Sequence, residues 1–202
     1  LAFLDYETYP SAIPRYNGYR PYQQIPFQFS LHVIETLTGE SNHCDFIYTD
    51  QNSPDEHFSA ALKKHLPKTG SVIVWNQKFE KGINEQIGKR LSKYEEFMED
   101  INNRVVDLMV PFFGKKTTYD HPEFKGSASI KYVLPALVPN LSYKDMHIQE
   151  GGTASDTWNR IVSGEYSEDD KNIKIQALKD YCHLDTLAMV EIWRVLESVS
   201  RA

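Results

Sequence analysis

The chain has 202 residues, of which 41% are hydrophobic and 12% aromatic, and its net charge is −6 at neutral pH. This length and apolar content suit one globular domain and exclude a disordered chain. The acidic balance excludes a non-specific basic nucleic-acid binder and a polybasic membrane anchor, although it does not exclude an enzyme that acts on nucleic acid.

The sequence indicates neither a zinc ribbon nor a membrane-spanning segment. The two cysteines, Cys44 and Cys182, form no CxxC pair, so we expect neither a zinc ribbon nor a redox motif. No apolar run has the length of a membrane span, and no signal peptide is visible. We therefore expect a cytoplasmic protein without membrane contact. Because the chain begins directly on an apolar run, we expect a single domain, residues 1–202, cut from a longer protein that contributes an upstream domain as a partner.

The first part of the chain predicts strands. LAFLDYE (1–7) is typical of a short buried strand, and PFQFSLHVIE (26–35) alternates apolar and polar residues. A turn at Thr38–Gly39 leads to a hairpin partner, HCDFIYT (43–49). Residues 10–26 form a loop, whose tyrosine rings would either pack within the loop or stack on nucleic-acid bases.

Strand and helix patterns then alternate. A helix is predicted over 53–66, and a nearly all-apolar strand over 71–76, which we expect at the centre of the sheet. A second helix follows over 78–91. The rest is mostly helical and ends in a long amphipathic helix over 174–199. This order predicts the α/β class, with a mixed sheet whose leading strands are antiparallel and which is flanked by helices.

Two acidic residues stand close together at the end of the first predicted strand. Residues i and i+2 of a strand point to one face, so Asp5 and Glu7 should project side by side. Two adjacent carboxylates repel each other unless a cation lies between them, and hard oxygen ligands suit Mg²⁺ or Mn²⁺. The alternative is a strand end that runs into solvent.

A third acid follows the apolar strand 71–76. Glu80 lies in the first turn of the next helix, at the carboxyl end of the strand, where sites form in open α/β sheets. Its alternative role is to complement the helix dipole. Asn76, at the strand exit, is a candidate substrate contact.

The last helix carries the spacing Tyr-x-x-x-Asp. Tyr181 and Asp185 stand four residues apart, so they share one helix face, which we expect to lie against the sheet. His183 falls on another face of that helix. The seven histidines show no metal-like spacing.

These three motifs, in this order, resemble the DEDD superfamily of 3′–5′ exonucleases, which are DnaQ-like proteins with a ribonuclease-H-like fold. Tyr-x-x-x-Asp is similar to the motif of its tyrosine subclass. Further segments, among them PFQFSLHV, GSASIKYVLPAL, SYKDM and YCHLDTLAM, resemble a bacterial domain family of unknown function assigned to that superfamily. The resemblance covers nearly the whole chain.

The resemblance implies a metal-dependent exonuclease that hydrolyses single-stranded DNA or RNA from its 3′ end. By this resemblance, two Mg²⁺ or Mn²⁺ ions would be held by four carboxylates, those of Asp5, Glu7, Glu80 and Asp185, and Tyr181 would orient the attacking water. Glu80 departs from the pattern, because the superfamily usually has aspartate at this position.

Three more residues are candidates at the same site. Asp107 follows an apolar stretch, and an aspartate after the corresponding strand recurs in related enzymes. Lys131 could approach a phosphate, and Tyr6 is a further candidate substrate contact.

Two other functions fit these residues. The first is a non-catalytic module that binds nucleic acid or protein on the same fold, with Glu80 marking the loss of catalysis. The second is a structure-selective endonuclease that uses the same metal ions.

Overall fold

The computed structural model describes residues 1–36, 39–114 and 117–201. Within these residues, five strands form one mixed sheet in the spatial order β3-β2-β1-β4-β5. The strands are β1 (Ala2–Pro10), β2 (Gln24–Val33), β3 (Asn42–Ile47), β4 (Val72–Val74) and β5 (Val105–Asp107). The β1–β2 and β2–β3 pairs are antiparallel, whereas β4 runs parallel to β1 and β5 parallel to β4. The predicted mixed sheet with leading antiparallel strands is confirmed.

Helices cover both faces of this sheet. They are α1 (Asp55–His65), α2 (Gln77–Arg90), α3 (Glu95–Arg104), α4 (Ile130–Leu137), α5 (Gly151–Val162) and α6 (Glu168–Ser200). One apolar layer joins the sheet to α1, α2 and α3, and the other joins it to α4, α5 and α6. Among the described residues, no helix combines the length and hydropathy that crossing a bilayer requires.

Three predictions about the elements were wrong in detail. The middle strand is β1, not the strand that begins near residue 71, because β2 and β4 pair with the two edges of β1. The strand β5 was missed, since three residues are too few to show alternation. The last helix begins at Glu168 rather than near residue 174, because Ser167 accepts a hydrogen bond from the backbone N–H of Asp170 and caps it. Thr38, half of the predicted hairpin turn, lies outside the described residues.

Alternate residues of β1 supply the two apolar layers. Leu4 and Tyr6 belong to the layer with α1–α3, while Phe3 belongs to the layer with α5 and α6. Because side chains alternate along a strand, Asp5 and Glu7 continue the Phe3 face. The two acids thus leave the apolar core on the side that α6 covers.

The aromatic rings of the loop before β2 mostly pack against other residues of the protein. Tyr19 is buried and its hydroxyl donates to Asp55, 2.6 Å away. Phe27, at the start of β2, stacks on Trp158 of α5 with ring centroids 4.7 Å apart. Tyr22 is the exposed ring of this segment, at 71%. Of the two roles that the sequence left open, packing accounts for Tyr19 and Phe27.

Candidate metal centre

A cavity of about 240 Å³ lies beside residues 5–7, in the middle of β1, and just past the carboxyl end of β4. Residues of β1, α2, α4 and α6 line it, together with Trp75 from the β4–α2 connection. Its polar and charged side chains include Asp5, Glu7, Lys131, Tyr181 and Asp185, and its apolar wall is formed by Trp75, Phe79, Ile130 and Met189. The structure therefore brings four of the five predicted catalytic residues around one cavity.

Three carboxyl groups, those of Asp5, Glu7 and Asp185, line this cavity and have little contact with solvent. Glu7 and Asp185 are 8% and 7% exposed, and oxygens of Asp5 and Glu7 lie within 4.8 Å of each other. Burial raises the pKa of Asp5 and Glu7 well above the ordinary values, and the neighbouring carboxyls raise these pKa values further. Burial also raises the pKa of Asp185 to about 7. A cation between these groups would reverse this balance and keep them ionised.

A cysteine lies beside the carboxyls. The Sγ of Cys182 is 3.7 Å from Oδ2 of Asp5, at the distance of a weak S–H hydrogen bond. Burial and the nearby acids, Asp5 first among them, raise the pKa of this thiol well above its usual range. Cys182 is therefore a neutral S–H donor to Asp5 rather than a thiolate ligand.

Two tyrosines and one lysine hold the α6 side of the cavity. The hydroxyl of Tyr143 donates to Oδ1 of Asp185 at 2.6 Å, and the Tyr143 ring packs against Tyr181 with centroids 6.0 Å apart. The Nζ of Lys131 lies 5.4 Å from the Tyr181 ring centroid. Lys131 counteracts the raised pKa of both Glu7 and Asp185, so its positive charge faces the carboxyls.

Glu80 is buried next to the cavity without lining it. Its side chain is 1% exposed, and its Oε2 has no hydrogen-bond partner among the described residues. Burial raises the pKa of Glu80 well above the ordinary value, and Asp5 is the next largest cause. An unpartnered buried carboxyl oxygen near Asp5 is a position that a metal ion or its water would satisfy.

The remaining candidates have other positions. Asp107 accepts hydrogen bonds from the backbone N–H groups of Asn76, Gln77 and Met109, at 3.0–3.1 Å, so it holds the start of α2. The Asn76 side chain is exposed and does not line the cavity. Tyr6 is among the residues that line the cavity, but its ring is 2% exposed and its hydroxyl donates to Asn84. Because side chains alternate along β1, this ring points to the face opposite Asp5. A substrate contact of Tyr6 stays a prediction.

The donor set fits hard divalent cations. Carboxylate oxygens are the ligands that Mg²⁺ and Mn²⁺ prefer, with bonds of about 2.1 Å for Mg²⁺. The oxygens of Asp5 and Glu7, which lie within 4.8 Å of each other, are close enough for one cation to bind both. Asp185, and the unpartnered oxygen of Glu80, are further candidate ligands.

Some residues of this region were missed from the sequence. Tyr143 lies in a connection between helices and shows no periodicity, and only its place in the segment SYKDM marked it. Cys182 falls among the apolar residues of the last helix and belongs to no motif. The spacing of the histidines in the sequence does not indicate a metal site, yet His32, His43 and His183 lie together on three different elements.

Comparison with known proteins gives one family. No curated protein and no solved structure gives a significant match to this chain. A family model matches residues 2–129, which extend from β1 to the residue before α4. This region holds Asp5, Glu7 and Glu80, whereas Tyr181 and Asp185 lie beyond it. The match covers more than half of the chain, which therefore belongs to the family described as Domain of unknown function (DUF2779).

Proposed function

We propose that this chain is a metal-dependent nuclease that removes nucleotides from the 3′ end of single-stranded DNA or RNA. The observation that carries the proposal is the convergence of Asp5, Glu7 and Asp185 with Tyr181 around one cavity. Burial raises the pKa of all three carboxyls, and neighbouring carboxyls raise those of Asp5 and Glu7 further, so the group favours a bound positive charge. Divalent cations supply that charge, and phosphodiester hydrolysis is a reaction that paired cations serve.

The sheet supports the same proposal. Three antiparallel strands followed by two parallel ones, in the order β3-β2-β1-β4-β5, are compatible with a ribonuclease-H-like fold. The acids of β1 and the start of α2 lie next to the carboxyl end of β4. Sites in open α/β sheets form at such ends.

Each side chain has a role in this scheme. Asp5 interacts electrostatically with both Asp185 and Glu80, and these carboxylates with Glu7 would hold two Mg²⁺ or Mn²⁺ ions. When bound, the ions would supply the positive charge that lowers the pKa of a water and stabilises the leaving 3′ oxygen. The Asp5 and Asp185 carboxylates would thus define where that water sits.

The other residues of the cavity act on the water and the substrate. Burial and nearby acids raise the pKa of Tyr181, so its hydroxyl stays protonated and orients the water by hydrogen bonding rather than acting as a base. The hydroxyl of Tyr143 fixes the Asp185 carboxyl. Lys131 would bind a phosphate oxygen of the substrate, and the apolar wall would exclude bulk water.

A binding module without catalysis is the second candidate. One observation favours it, because Glu80 replaces the usual aspartate and is buried outside the cavity lining. On this alternative, the same groove would bind a nucleic acid or a protein without cutting it.

A cleavage assay separates these functions. We would incubate 5′-labelled single-stranded DNA and RNA with the protein in Mn²⁺, Mg²⁺ or EDTA, beside Asp5→Asn. We expect a ladder that shortens from the 3′ end, lost in EDTA and reduced more than about 100-fold in Asp5→Asn, because a metal ligand is removed. Asp50→Asn, an exposed aspartate in the β3–α1 connection, is the matched control and should keep the activity.

Other outcomes would change the assignment. Cuts in a circular single strand would identify a structure-selective endonuclease instead. Retained oligonucleotide binding without cleavage in any metal would contradict both nuclease functions and support the binding module.

A further inference from the structure

Three histidines from three elements meet on the α6 face of the sheet. His32 of β2 and His43 of β3 are direct partners across the antiparallel ladder, and His183 of α6 contacts both. The ring centroids are 4.5 Å apart for His32 and His43, 4.9 Å for His32 and His183, and 4.2 Å for His43 and His183. One ring nitrogen of each lies within 4.8 Å of those of the other two.

A hydrogen-bond chain determines which nitrogens are free. The carbonyl of His183 can only accept, so the Thr186 hydroxyl donates its proton there, at 3.1 Å. The Ser30 hydroxyl must then donate to Thr186 at 2.6 Å, and its oxygen accepts from Nε2–H of His43 at 3.0 Å. The Nδ1–H of His32 also donates to Thr186, at 2.8 Å. Free lone pairs remain on Nε2 of His32 and Nδ1 of His43.

This pattern is that of oriented metal ligands. A ligating imidazole usually donates its second N–H to a neighbouring acceptor, which fixes the ring and its tautomer. Ser30 and Thr186 are both fully buried and serve as those acceptors. The two hydrogen bonds therefore fix the rings of His32 and His43 inside the fold.

The group extends from the interior to the surface. His32 is 2% exposed, His183 is half-buried and His43 is exposed. An ion would have an entry path past His43 and an open coordination position on that side. Three imidazole nitrogens with one open position form a donor set that Zn²⁺ takes in proteins, whereas Mg²⁺ prefers oxygen.

We infer that His32, His43 and His183 form a second metal site, for Zn²⁺, separate from the carboxylates that line the cavity. The bound ion would join β2 and β3 to α6, the helix that carries Tyr181 and Asp185. This inference does not depend on the proposed nuclease activity, because its ligands and its ion are different.

Zinc titration tests the inference without any activity measurement. We would titrate the full chain with Zn²⁺ by calorimetry in excess Mg²⁺, which occupies oxygen-rich sites. The variants are His43→Gln, Asp5→Asn and His65→Gln, the last being an exposed histidine of α1 as the matched control. We expect one Zn²⁺ per chain that is lost, or weakened at least about tenfold, in His43→Gln and kept in the other two.

Thr186→Val adds a variant that keeps all three ligands. It removes the acceptor of His32 and should weaken Zn²⁺ binding about 10- to 100-fold. Zn²⁺ binding that survives in His43→Gln but disappears in Asp5→Asn would place the ion at the Asp5–Glu7–Cys182 group and overturn the inference. An absence of Zn²⁺ binding to the unmodified chain would overturn it as well.

Discussion

At the scale of single residues, the dominant feature is a group of acids buried before any cation is bound. Asp5, Glu7, Glu80 and Asp185 all have pKa values raised by burial. Each of them is easier to bury as the neutral acid than as the anion. Ionising these acids is therefore costly in the metal-free chain, and the ionised carboxylates are the groups that would bind a metal ion.

This cost should be visible as a pH dependence of stability. A carboxyl whose pKa is raised in the folded state stabilises the fold below its ordinary pKa, and this contribution is lost as the pH rises through the folded value. For Asp185 that window runs from about 4 to about 7. In EDTA, we expect the free energy of unfolding to fall across this window by about 1.4 kcal/mol per pH unit for each such group. Chemical denaturation at a series of pH values measures it.

Two variants and the addition of Mn²⁺ test whether the buried acids cause this pH dependence. Glu80→Gln removes one buried acid and should reduce the fall, whereas Glu96→Gln, on the exposed side of α3, should not. Mn²⁺ should flatten the pH dependence of the unmodified chain, because it favours the ionised carboxyls. Stability in EDTA that rises between pH 5 and pH 8 would contradict this description of the acids.

At the scale of elements, the site depends on how α2 and α6 are fixed to the sheet. Helix α6 packs along β1 and β2, carries Tyr181 and Asp185 into the cavity, and places Cys182 against Asp5. Helix α2 carries Glu80, and its start is held by the carboxyl of Asp107 from β5. Asp107 therefore contributes to the site by positioning an element.

Asp107→Ala tests this positioning role. Removing the acceptor of three backbone N–H groups should lower the free energy of unfolding by roughly 2 kcal/mol. The rise in melting temperature that Mn²⁺ causes should remain, because no metal ligand is lost. Asp156→Ala, an exposed aspartate of α5, is the control for stability. Loss of the Mn²⁺ effect in Asp107→Ala would instead identify Asp107 as a ligand.

Periodicity explains which parts of the site could be predicted. Asp5 and Glu7 follow the two-residue repeat of a strand, and Tyr181 and Asp185 the four-residue repeat of a helix, so their shared faces were predictable. The contact of Tyr143 with Asp185 depends on the path of a connection between helices. The histidine group depends on the register of β2 against β3 and on how α6 docks, which no local pattern encodes.

At the scale of the whole molecule, the proposed function requires an acidic protein to attract an anionic substrate. The net charge is −6, and the cavity itself contains three carboxyls with Lys131 as the cation among its lining residues. Without a metal ion, these lining residues offer a phosphate one positive charge, that of Lys131. Bound cations would make the local charge more positive, so we expect nucleic-acid binding to depend on them.

Oligonucleotide binding tests this dependence. Labelled single-stranded DNA should bind in Ca²⁺, which takes oxygen ligands, and at least about tenfold more weakly in EDTA. Lys131→Met should weaken the binding in Ca²⁺ about five- to tenfold by removing a phosphate contact, whereas Lys68→Met, an exposed lysine after α1, should not. Fluorescence anisotropy gives these affinities, and equal binding in Ca²⁺ and EDTA would contradict the expected role of the ions.

The most direct test of the metal centre is to locate the ions. Crystals of the chain soaked in Mn²⁺ should give two anomalous peaks about 4 Å apart in the cavity beside Asp5 and Glu7 of β1. Both should contact Asp5, one with Asp185 and the other with Glu80, and both should be absent from crystals of Asp5→Asn. A cavity without a peak, in crystals that bind Mn²⁺ elsewhere on the chain, would contradict the two-metal site.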